Sequence, residues 1–362
     1  MASASEVDEL VTSPADAAFV HEVPLEVLVS RAFGAEAFFE LGGLLPELAE
    51  DLSGIEDRLK SVLPSEYPPL TEAVLYACTT GGKRLRPLLM AAAFRALGAT
   101  STKPVHSLAA AFQLIHTASL IHDDVIDHAD QRRGRPSVLR AFGLPSAIVA
   151  GDYLYVRAFE LASEYPQAII LRCGEACANL AEGEVLQESG RFDLTVSRDQ
   201  YLSIVTRKTA TIVSAALASV GDIAGSTAQI VEALAAYGRA VGIAFQLRDD
   251  LLDAYGEPDL LGKPLYADFR EGNPTLLSIE AYQHLEGRPK LEYERLFARR
   301  EKRPRELLKL RTLTDQTPAQ SIVEAEGHHW AATAIRALTP LPQGPYRSLL
   351  ERLAHAATTR RF

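Results

Sequence analysis

The sequence has little cysteine, which excludes a disulfide-stabilised architecture. The 362-residue chain contains three cysteines, Cys78, Cys173 and Cys177. An odd, low count without a paired framework fits a protein of the reducing cytoplasm. Cys173 and Cys177 have helical spacing, and no histidine pair lies nearby to complete a zinc site. We therefore interpret them as buried thiols on one helix face.

The sequence also lacks long apolar runs, a secretory leader and an excess of positive charge. No stretch of about 18 consecutive apolar residues is present, so no transmembrane segment is expected. Residues 1–19 are acidic and contain no basic segment followed by an apolar core, which excludes a secretory signal and predicts a flexible arm or an extra helix. The net charge of −10 argues against nucleic-acid binding and suits a protein that gathers divalent cations. These absences predict a cytoplasmic protein.

Helical periodicity is present along almost the whole chain. Ala- and Leu-rich segments are bounded by Gly, Pro, Asp and Ser, and no convincing alternating β segment occurs. The longest are HSLAAAFQLIHTASLIHDD, PSAIVAGDYLYVRAFELASE and TAQIVEALAAYGRAVGIAFQLRDDLLDAYG. We predict an all-α fold, a single large helical bundle around a central cavity over residues 46–362, after an N-terminal extension of residues 1–45. The highly charged residues 286–318 predict an exposed helical hairpin or loop.

Aspartates are concentrated at the ends of two apolar helices. FQLIHTASLIHDDVID and FQLRDDLLD each end in Asp-Asp-x-x-Asp, 126 residues apart. Because residues i and i+4 lie about 6 Å apart on one helix face, Asp123 and Asp127 repel each other unless a cation binds between them. Two such clusters facing one cavity predict a Mg²⁺ site, since Mg²⁺ binds a few carboxylates together with water and substrate phosphates. The two clusters comprise Asp123, Asp124, Asp127, Asp249, Asp250 and Asp253.

A basic, glycine-containing motif, GGKRLRP (81–87), lies before the first acidic motif. It is not a P-loop, because an arginine follows Lys83 and position 77 is alanine. Its two glycines nevertheless allow close backbone approach, and Lys83 and Arg86 carry charge suited to phosphate. Taken alone, the motif is also explained as a basic loop before a helix.

Further basic residues lie close to the acidic motifs in the sequence or interrupt apolar helices. Arg132 and Arg133 follow the first acidic motif, Lys208-Thr209 interrupts an apolar helix, and Lys263 follows the second motif. A lysine in such a helix either extends to the surface or meets an anion. Together with the acidic clusters, these residues predict a site that binds a diphosphate with an apolar tail and stabilises it as a leaving group.

With these motifs in this order, the sequence resembles the trans-isoprenyl diphosphate synthases, which include the polyprenyl, geranylgeranyl and farnesyl diphosphate synthases. The matching motifs are GGKRLRP (81–87), HDDVIDHADQRRGRP (122–136), AGDYL (150–154), EGEVLQ (182–187), RKT (207–209), FQLRDDLLD (245–253) and GKP (262–264). The resemblance implies the isoprenoid synthase fold, a homodimer and about three Mg²⁺ ions per site. It also implies head-to-tail prenyl transfer, in which an allylic diphosphate ionises, isopentenyl diphosphate attacks the allylic carbon and a proton is lost.

The resemblance further implies a role for each matching residue. The Mg²⁺ ligands would be Asp123, Asp127 and Asp249, supported by Asp124, Asp250 and Asp253. The allylic diphosphate would be contacted by Arg132, Lys208 and Lys263. Isopentenyl diphosphate would be held by Lys83, Arg86, His116 and Arg133. The carbocation pocket would be lined by Thr209, Gln246 and Phe245, whose ring can stabilise positive charge.

The sequence departs from the family pattern at one place. Where the family has an acidic pair and then a lysine, as in DDLREGKPTL, this chain reads ADFREGNPTL (267–276). Ala267 replaces an acid and Asn273 replaces the lysine, and the loss of one charge-assisted contact weakens diphosphate binding by about 1.5–3 kcal/mol. Two other activities are therefore considered, a terpene-cyclase-like enzyme and a non-catalytic subunit of a heteromeric synthase. The intact GGKRLRP argues against the first, and the two intact aspartate motifs argue against the second.

Small residues before the first acidic motif bear on product length. In the family that the sequence resembles, the growing tail passes beside this helix, and aromatic residues four or five positions upstream block it. Here these positions are Ser119 and Ala118, with Ile115 and Phe112 farther along the same helix. Phe112 lies about 16 Å from Asp123 at 1.5 Å per residue, and it is either the tunnel floor or ordinary core. We predict an all-trans product longer than geranylgeranyl diphosphate, with geranylgeranyl diphosphate as the alternative.

Overall fold

The computed structural model describes residues 43–79, 84–258 and 265–360, which are almost entirely helical. The α-helices are α1 (Leu45–Val62), α2 (Pro68–Thr79), α3 (Leu85–Ala96), α4 (Lys103–Ile126), α5 (Val138–Phe142), α6 (Leu144–Ala162), α7 (Gln167–Gly190), α8 (Arg198–Val205), α9 (Thr211–Ile223), α10 (Ala228–Tyr255), α11 (Ala267–Glu271), α12 (Leu276–His284), α13 (Gly287–Phe297), α14 (Pro304–Thr314), α15 (Ala319–Ala337) and α16 (Pro345–Thr359). A π-helical turn (Thr206–Ala210) joins α8 to α9. A short hairpin of β1 (Gln131–Arg132) and β2 (Arg135–Pro136) follows α4. The predicted all-α fold is confirmed.

Local sequence signals set the ends of several helices. At the start of α8, the Ser197 hydroxyl accepts the backbone N–H of Gln200, and the Gln200 side chain accepts the N–H of Ser197. Each bond satisfies a backbone donor that has no partner within the helix. At the start of α12, the Thr275 hydroxyl accepts the backbone N–H of Ser278, without a return bond. Gly225, with φ of 64°, follows α9 in the left-handed conformation that ends many helices.

Two long helices form the centre of the bundle. α4 packs along α6, and α10 packs between α9 and α15. One apolar cluster contains residues of helices α1 through α7, of α9, of the first half of α10, of the end of α15 and of α16. A second cluster joins the last turns of α10 to α8, α12, α13 and α14. Because α10 packs in both clusters, the position of the aspartates near its C-terminus is fixed by the packing of both clusters.

Helix α10 is also the one described helix whose length and mean hydropathy match those of a membrane span. In the structure, 61% of that apolar window is buried inside the bundle, where α9 and α15 cover it. A helix that is apolar nearly all round is expected at the centre of a large helical protein. Packing therefore accounts for its composition, and the absence of a transmembrane segment stays a prediction.

The β1–β2 hairpin is a feature that the sequence did not predict. Arg133 and Gly134 form its two-residue turn, with φ values of 54° and 75°. Both central residues of a tight hairpin turn of this kind need positive φ, which glycine adopts without strain and arginine does not. The turn fixes the directions in which the side chains of Arg132 and Arg133 project from the backbone just after α4.

The structure describes the charged segment 286–318 but not the N-terminal extension. Residues 1–42 lie outside the described residues, so the domain boundary after residue 45 stays a prediction, although α1 begins at Leu45. The charged segment 286–318 does form a helical hairpin, made of α13 and α14, which pack against each other.

Candidate active site

The first acidic motif lies at the C-terminal end of α4. The N–H of Asp127 donates to the carbonyl of Asp123 at 2.8 Å, which closes the last turn. Asp124 is buried and accepts a hydrogen bond from Arg132 Nε at 2.9 Å. Asp127 forms an ion pair with Arg191. Two of the three carboxylates are therefore held by arginine side chains.

The second acidic motif, near the end of α10, contains a buried hydrogen-bond network. Asp250 accepts from the Tyr201 hydroxyl at 2.5 Å and from Gln246 Nε2 at 2.9 Å. The other end of that amide, Gln246 Oε1, accepts from the Thr209 hydroxyl at 3.0 Å. Burial raises the pKa of Asp250 to about 6, and the two hydrogen bonds oppose that rise. Thr209 and Gln246, predicted to line the substrate pocket, are thus linked to the acidic motif.

The C-terminal segment reaches this second motif through Arg360. Its Nη2 lies 2.5 Å from Asp249 Oδ1 and donates to the carbonyl of Phe245 at 3.1 Å. The guanidinium carbon lies 3.7 Å from the centre of the Phe245 ring, a cation–π arrangement. The ring that the resemblance assigns to a carbocation is therefore covered by a positively charged side chain in this structure.

The two acidic motifs approach each other around Glu271, at the end of α11. Burial raises the pKa of Glu271 to about 7, and the negative charges of Asp127 and Asp253 add to the rise. Asp253 accepts the backbone N–H of Asp268 at 3.1 Å, which ties α11 to α10. One carboxylate from each motif therefore acts on the pKa of Glu271, which places Glu271 near the ends of both α4 and α10. That the two motifs form one shared site stays a prediction.

Lys208 enters the site from the π-helical turn between α8 and α9. Its Nζ lies 2.5 Å from Glu184 Oε2. Burial works against the charge of Lys208, but Asp123 and Glu184 outweigh it, and the pKa of Lys208 is raised. Short π-helical turns are frequent at functional sites because one extra residue redirects the side chains around it. Lys208 is thus a permanently protonated group beside the first acidic motif.

Close backbone contacts fix this turn on two sides. A Cβ atom at Gly183 of α7 would lie 2.7 Å from the backbone nitrogen of Lys208. A Cβ atom at Gly242 of α10 would lie 2.6 Å from the Cα of Ala210. Neither distance is possible for a real side chain without movement of the backbone. The two glycines therefore permit the approach that places Lys208.

The carboxylates around Asp123 form an environment that suits a divalent cation. Burial raises the pKa of Asp123 to about 7, Lys208 lowers it, and Glu184 and Asp127 raise it again. Glu184 Oε1 has no hydrogen-bond partner among the described residues. Within the same residues, no three acidic, histidine or cysteine side chains form a ready-made metal cage. Mg²⁺ fits such an open set of hard oxygen donors, because it completes its shell with water and substrate phosphates.

A cluster of cationic groups adjoins the acidic motifs. Burial lowers the pKa of Arg86 to about 10, with Arg133 lowering it further and Asp249 raising it. Burial and then Arg132 likewise lower the pKa of Arg133 to about 10. His116 is held well below its usual pKa by burial and by Arg86 and Arg133, so it is neutral. Arg86 Nε has no hydrogen-bond partner within the described part of the chain. Mutually repelling buried cations of this kind are stabilised by an anion.

Beside this cluster, between α2, α4 and the β-hairpin, lies a small cavity that is partly open to solvent. Arg132 and Arg133 contribute charge to its wall, while Tyr76, Ile121 and Val138 are among its apolar lining residues. The cavity thus combines anion-binding groups with an apolar surface.

The departure from the family pattern at Asn273 has a structural description. Asn273 is buried, and its Nδ2 donates to Glu271 Oε2 at 2.9 Å and more weakly to Asp268 Oδ1 at 3.5 Å. The amide therefore holds the acidic loop that borders the site. Arg191, which pairs with Asp127 and lowers the pKa of Glu271, brings a positive charge to the same region.

The remaining predicted residues divide into two groups. Lys83 and Lys263 lie outside the described residues, so their roles stay predictions. The four residues proposed to set chain length lie on α4 and are all buried. They are Phe112, Ile115, Ala118 and Ser119.

Several residues of the site were not singled out by the sequence. Tyr201, Arg191 and Arg360 lie outside the quoted motifs, and only the fold brings them together. Glu271 lies in the quoted stretch ADFREGNPTL (267–276) but was given no role there. Glu184 was within the quoted motif EGEVLQ, and an acidic residue inside a long helix could have drawn attention to it.

The fold and the site together define an all-helical enzyme for an organic diphosphate, and comparison with known proteins agrees. A profile of the polyprenyl synthetase family matches residues 67–313. The octaprenyl diphosphate synthase of Escherichia coli K12 is 35% identical over 315 residues, covering 86% of this chain and 96% of that protein. The geranylgeranyl diphosphate synthase of Methanosarcina mazei is 36% identical over 247 residues, covering 66% of this chain and 76% of that protein.

Solved structures give the same result. A polyprenyl synthase from Caulobacter crescentus CB15, crystallised with calcium and isoprenyl diphosphate, superposes with a TM-score of 0.83 at 36% identity, covering 86% of this chain and 95% of that one. A decaprenyl diphosphate synthase from Rhodobacter capsulatus gives a TM-score of 0.82 at 35% identity, with 89% and 99% coverage. The chain belongs to the polyprenyl synthetase family and is a trans-prenyltransferase with the isoprenoid synthase fold.

The close approach at Gly183 generates a prediction. Gly183→Ala forces α7 and the π-helical turn apart, because its Cβ would overlap the backbone at Lys208. A displacement of about 1 Å in a catalytic group costs up to about 100-fold in rate, so we expect kcat for prenyl transfer to fall about 10- to 100-fold. Overpacking should also lower the free energy of unfolding by about 1–3 kcal/mol.

Gly174→Ala is the matched control, because it lies on the same helix and its Cβ would meet nothing within 4 Å. It should keep the wild-type kcat and gain slightly in stability, since alanine favours helix. Equal kcat values for the two variants would show that the close approach does not position Lys208.

Proposed function

We propose that the protein catalyses the Mg²⁺-dependent head-to-tail condensation of isopentenyl diphosphate with an allylic prenyl diphosphate, giving an all-trans polyprenyl diphosphate longer than geranylgeranyl diphosphate. The observation that supports the proposal is that carboxylates of both aspartate motifs act on Glu271, while Lys208 and Arg86 are each influenced by an aspartate of these motifs. The C. crescentus relative crystallised with calcium and isoprenyl diphosphate supports a cation and a diphosphate at such a site.

The allylic diphosphate is proposed to bind between the acidic motifs. The Mg²⁺ ligands are Asp123, Asp127 and Asp249, with Asp124, Asp250 and Asp253 supporting them. Mg²⁺, when bound, neutralises the diphosphate and makes it a better leaving group. Lys208 contributes a fixed positive charge, and Arg132 and Lys263 contribute further contacts. Because Lys208 is already protonated and held by Glu184, it needs no reorganisation as negative charge develops.

Isopentenyl diphosphate is proposed to bind at the neighbouring cationic cluster. Arg86, Arg133 and Lys83 contact its diphosphate, and the neutral His116 donates one N–H. The repulsion that lowers the pKa values of Arg86 and Arg133 is relieved when the anion binds. This holds the double bond next to the allylic carbon, so attack becomes effectively unimolecular.

The carbocation region is proposed to lie along α10 and the π-helical turn. Thr209 and Gln246 are fixed by their mutual hydrogen bond at 3.0 Å, so their side chains are held in place. Phe245 offers an aromatic face to positive charge. In the structure the guanidinium of Arg360 occupies the position over this ring that the carbocation would take. Arg360 therefore withdraws from the ring as the substrate complex forms.

The metal proposal gives a prediction for the acidic motifs. Asp123→Asn and Asp249→Asn should each reduce turnover at least about 100-fold and abolish the Mg²⁺-dependent binding of an allylic diphosphate, measured by calorimetry. Because burial disfavours the charge of Asp123, Asp123→Asn should not lower the melting temperature of the metal-free protein.

Asp57→Asn, at an exposed position on α1, is the control and should behave as wild type. EDTA should stop wild-type turnover reversibly. Near wild-type binding and turnover by either motif variant in Mg²⁺ would contradict the shared metal site.

Chain length is proposed to be set by the small residues on α4 before the first acidic motif. Ala118 is fully buried, and Ser119 donates its hydroxyl to the carbonyl of His116 at 2.9 Å, so neither projects bulk into the space beside the helix. Ile115 and Phe112 continue the same surface, and Phe112 is a candidate floor. The relatives from E. coli and R. capsulatus, named for octaprenyl and decaprenyl products, support a long product, whereas the M. mazei relative supports geranylgeranyl diphosphate.

Ala118→Phe is therefore expected to shorten the product to farnesyl or geranylgeranyl diphosphate, because the ring would block the tail. Products are identified by chromatography after incubation with farnesyl diphosphate and labelled isopentenyl diphosphate. Ala109→Phe, equally buried but on the opposite side of α4, controls for overpacking and should keep the wild-type product. If wild type itself stops at geranylgeranyl diphosphate, the open-tunnel proposal is wrong.

A homodimer is proposed from the distribution of exposed apolar residues. Of the twelve exposed large apolar side chains among the described residues, seven lie on α6 and α7. They are Leu144, Ile148, Val149, Val156, Leu171, Val185 and Leu186. Ile148 and Val156 are eight residues apart and Leu171 and Val185 fourteen, so each pair shares one helix face. Such a concentrated apolar surface is typical of a subunit interface.

Light scattering should therefore give about twice the chain mass of 39.4 kDa at micromolar concentration. Val156→Glu with Val185→Glu should shift the protein towards monomer, since buried charge without a partner is costly. Leu291→Glu, an equally exposed position on α13, should leave the mass unchanged. A monomeric wild type at this concentration would rule out the proposed dimer.

A further inference from the structure

The α13–α14 hairpin carries concentrated positive charge on an acidic protein. Residues 287–314 contain ten lysines and arginines and four glutamates, a net charge of +6, whereas the whole chain carries −10. Two of the glutamates are used in pairs that join the helices, Glu306 with Arg299 and Glu292 with Lys309. Other basic residues of the hairpin remain exposed to solvent. They are Arg288, Arg295, Arg300, Arg303 and Arg305.

Each helix of the hairpin also carries one exposed leucine. Leu291 is 67% exposed and Leu308 is 57% exposed, and no other described residue after Leu186 is an exposed large apolar side chain. On α13, Leu291 and Arg295 lie one turn apart, opposite the buried Leu296 and its neighbours.

On α14, Arg305 and Leu308 are likewise one turn apart, opposite the buried Leu310. Because each helix buries one side against the bundle, each presents a leucine flanked by arginine to solvent. We call Leu291, Arg295, Arg305 and Leu308 the hairpin face.

The turn of the hairpin lies close to the mouth of the active site. Lys302 Nζ lies 4.9 Å from the centre of the Phe192 ring, and the Arg300 guanidinium carbon lies 5.8 Å from it. The N–H of Phe192 donates to the carbonyl of Gly272 at 2.7 Å, in the loop that follows Glu271. The residue before Phe192 is the arginine that pairs with the first acidic motif. The hairpin is thus separated from that motif by only this short loop.

From these observations we propose that the hairpin face docks the enzyme on an anionic lipid surface, with the active-site mouth beside the membrane. Arginines beside anionic headgroups contribute binding energy, and leucine side chains gain by entering the interface. Leucine gains nothing from a phosphate backbone, so a bilayer fits this face better than nucleic acid does. The proposal rests on the proposed function in one respect, because a long prenyl diphosphate is an amphiphile that a membrane accepts.

Vesicle co-sedimentation of the full-length wild-type protein, without substrate, tests the docking directly. The protein should bind phosphatidylcholine vesicles containing phosphatidylglycerol at about 0.1 M salt and bind pure phosphatidylcholine vesicles far more weakly. Arg295→Gln with Arg305→Gln should weaken binding roughly 25-fold, about fivefold for each basic residue removed. Leu291→Ser with Leu308→Ser, which leaves the charge unchanged, should weaken it roughly tenfold.

Lys103→Gln with Arg239→Gln, both exposed and outside the hairpin, is the matched control and should bind as wild type. Equal binding of wild type to dextran sulfate and to the vesicles, together with full binding by the leucine variant, would show a general polyanion site and overturn the proposal. Vesicle binding that the hairpin variants leave unchanged would overturn it as well. Circular dichroism melting should show that all variants are folded, since the altered side chains are exposed.

Turnover separates this proposal from the proposed function. Anionic vesicles should increase the multiple-turnover rate of wild type but not of the arginine variant, whose rate without vesicles should match wild type. A wild-type enzyme that is active but insensitive to vesicles would contradict the proposal that the hairpin places the active-site mouth where the membrane accepts the product. Vesicle binding without prenyl transfer activity would instead reject the proposed function while leaving the docking surface intact.

Discussion

The rest of the structure depends on the burial of many carboxylates at one place. Two helix C-termini, where a negative charge opposes the helix dipole, each bring three aspartates to the candidate site, and Glu184 and Glu271 add two more carboxylates. Such a concentration is tolerated because each acid has a compensating group, Arg132, Arg191, Arg360 or Lys208, or a hydrogen-bond donor such as Tyr201. The raised pKa values of Asp123 and Glu271 show that compensation is incomplete. A divalent cation, bound together with a diphosphate, would compensate the remaining negative charge.

The scaffold holds these charges by close backbone packing rather than by bulky side chains. Gly183 and Gly242 let α7 and α10 press against the π-helical turn, so a cation on an irregular segment acquires a rigid position. The β-hairpin does the same for Arg132 and Arg133 through a turn in which an arginine accepts positive φ. In the π-helical turn and in the β-hairpin, an energetically unfavourable local conformation occurs where a charged side chain is oriented. This is typical of functional sites.

Nine of the twelve exposed large apolar side chains among the described residues lie in two places with different chemistry. On α6 and α7 they form stripes of helical spacing, as in an interface between two copies of one protein. On the α13–α14 hairpin two leucines lie among exposed arginines, which favours a surface that is both anionic and apolar. The rest of the acidic chain repels anionic lipid, so the hairpin determines which side of the molecule approaches a membrane.

The sequence by itself determined the fold class and the family, and it singled out the aspartates as candidate metal ligands, because helical periodicity and motif spacing are local properties. It also indicated Lys208, Arg86 and the small residues on α4. The tertiary structure decided which charges oppose one another. Arg360 meets Asp249, Tyr201 meets Asp250 and Glu271 senses both motifs although these residues are far apart in the chain. The β-hairpin was missed because its turn has an arginine at a position where a sequence signal would need asparagine or glycine. Burial and contact between distant helices, which set pKa values and exposed surfaces, are properties of the packed chain, and no spacing rule encodes them.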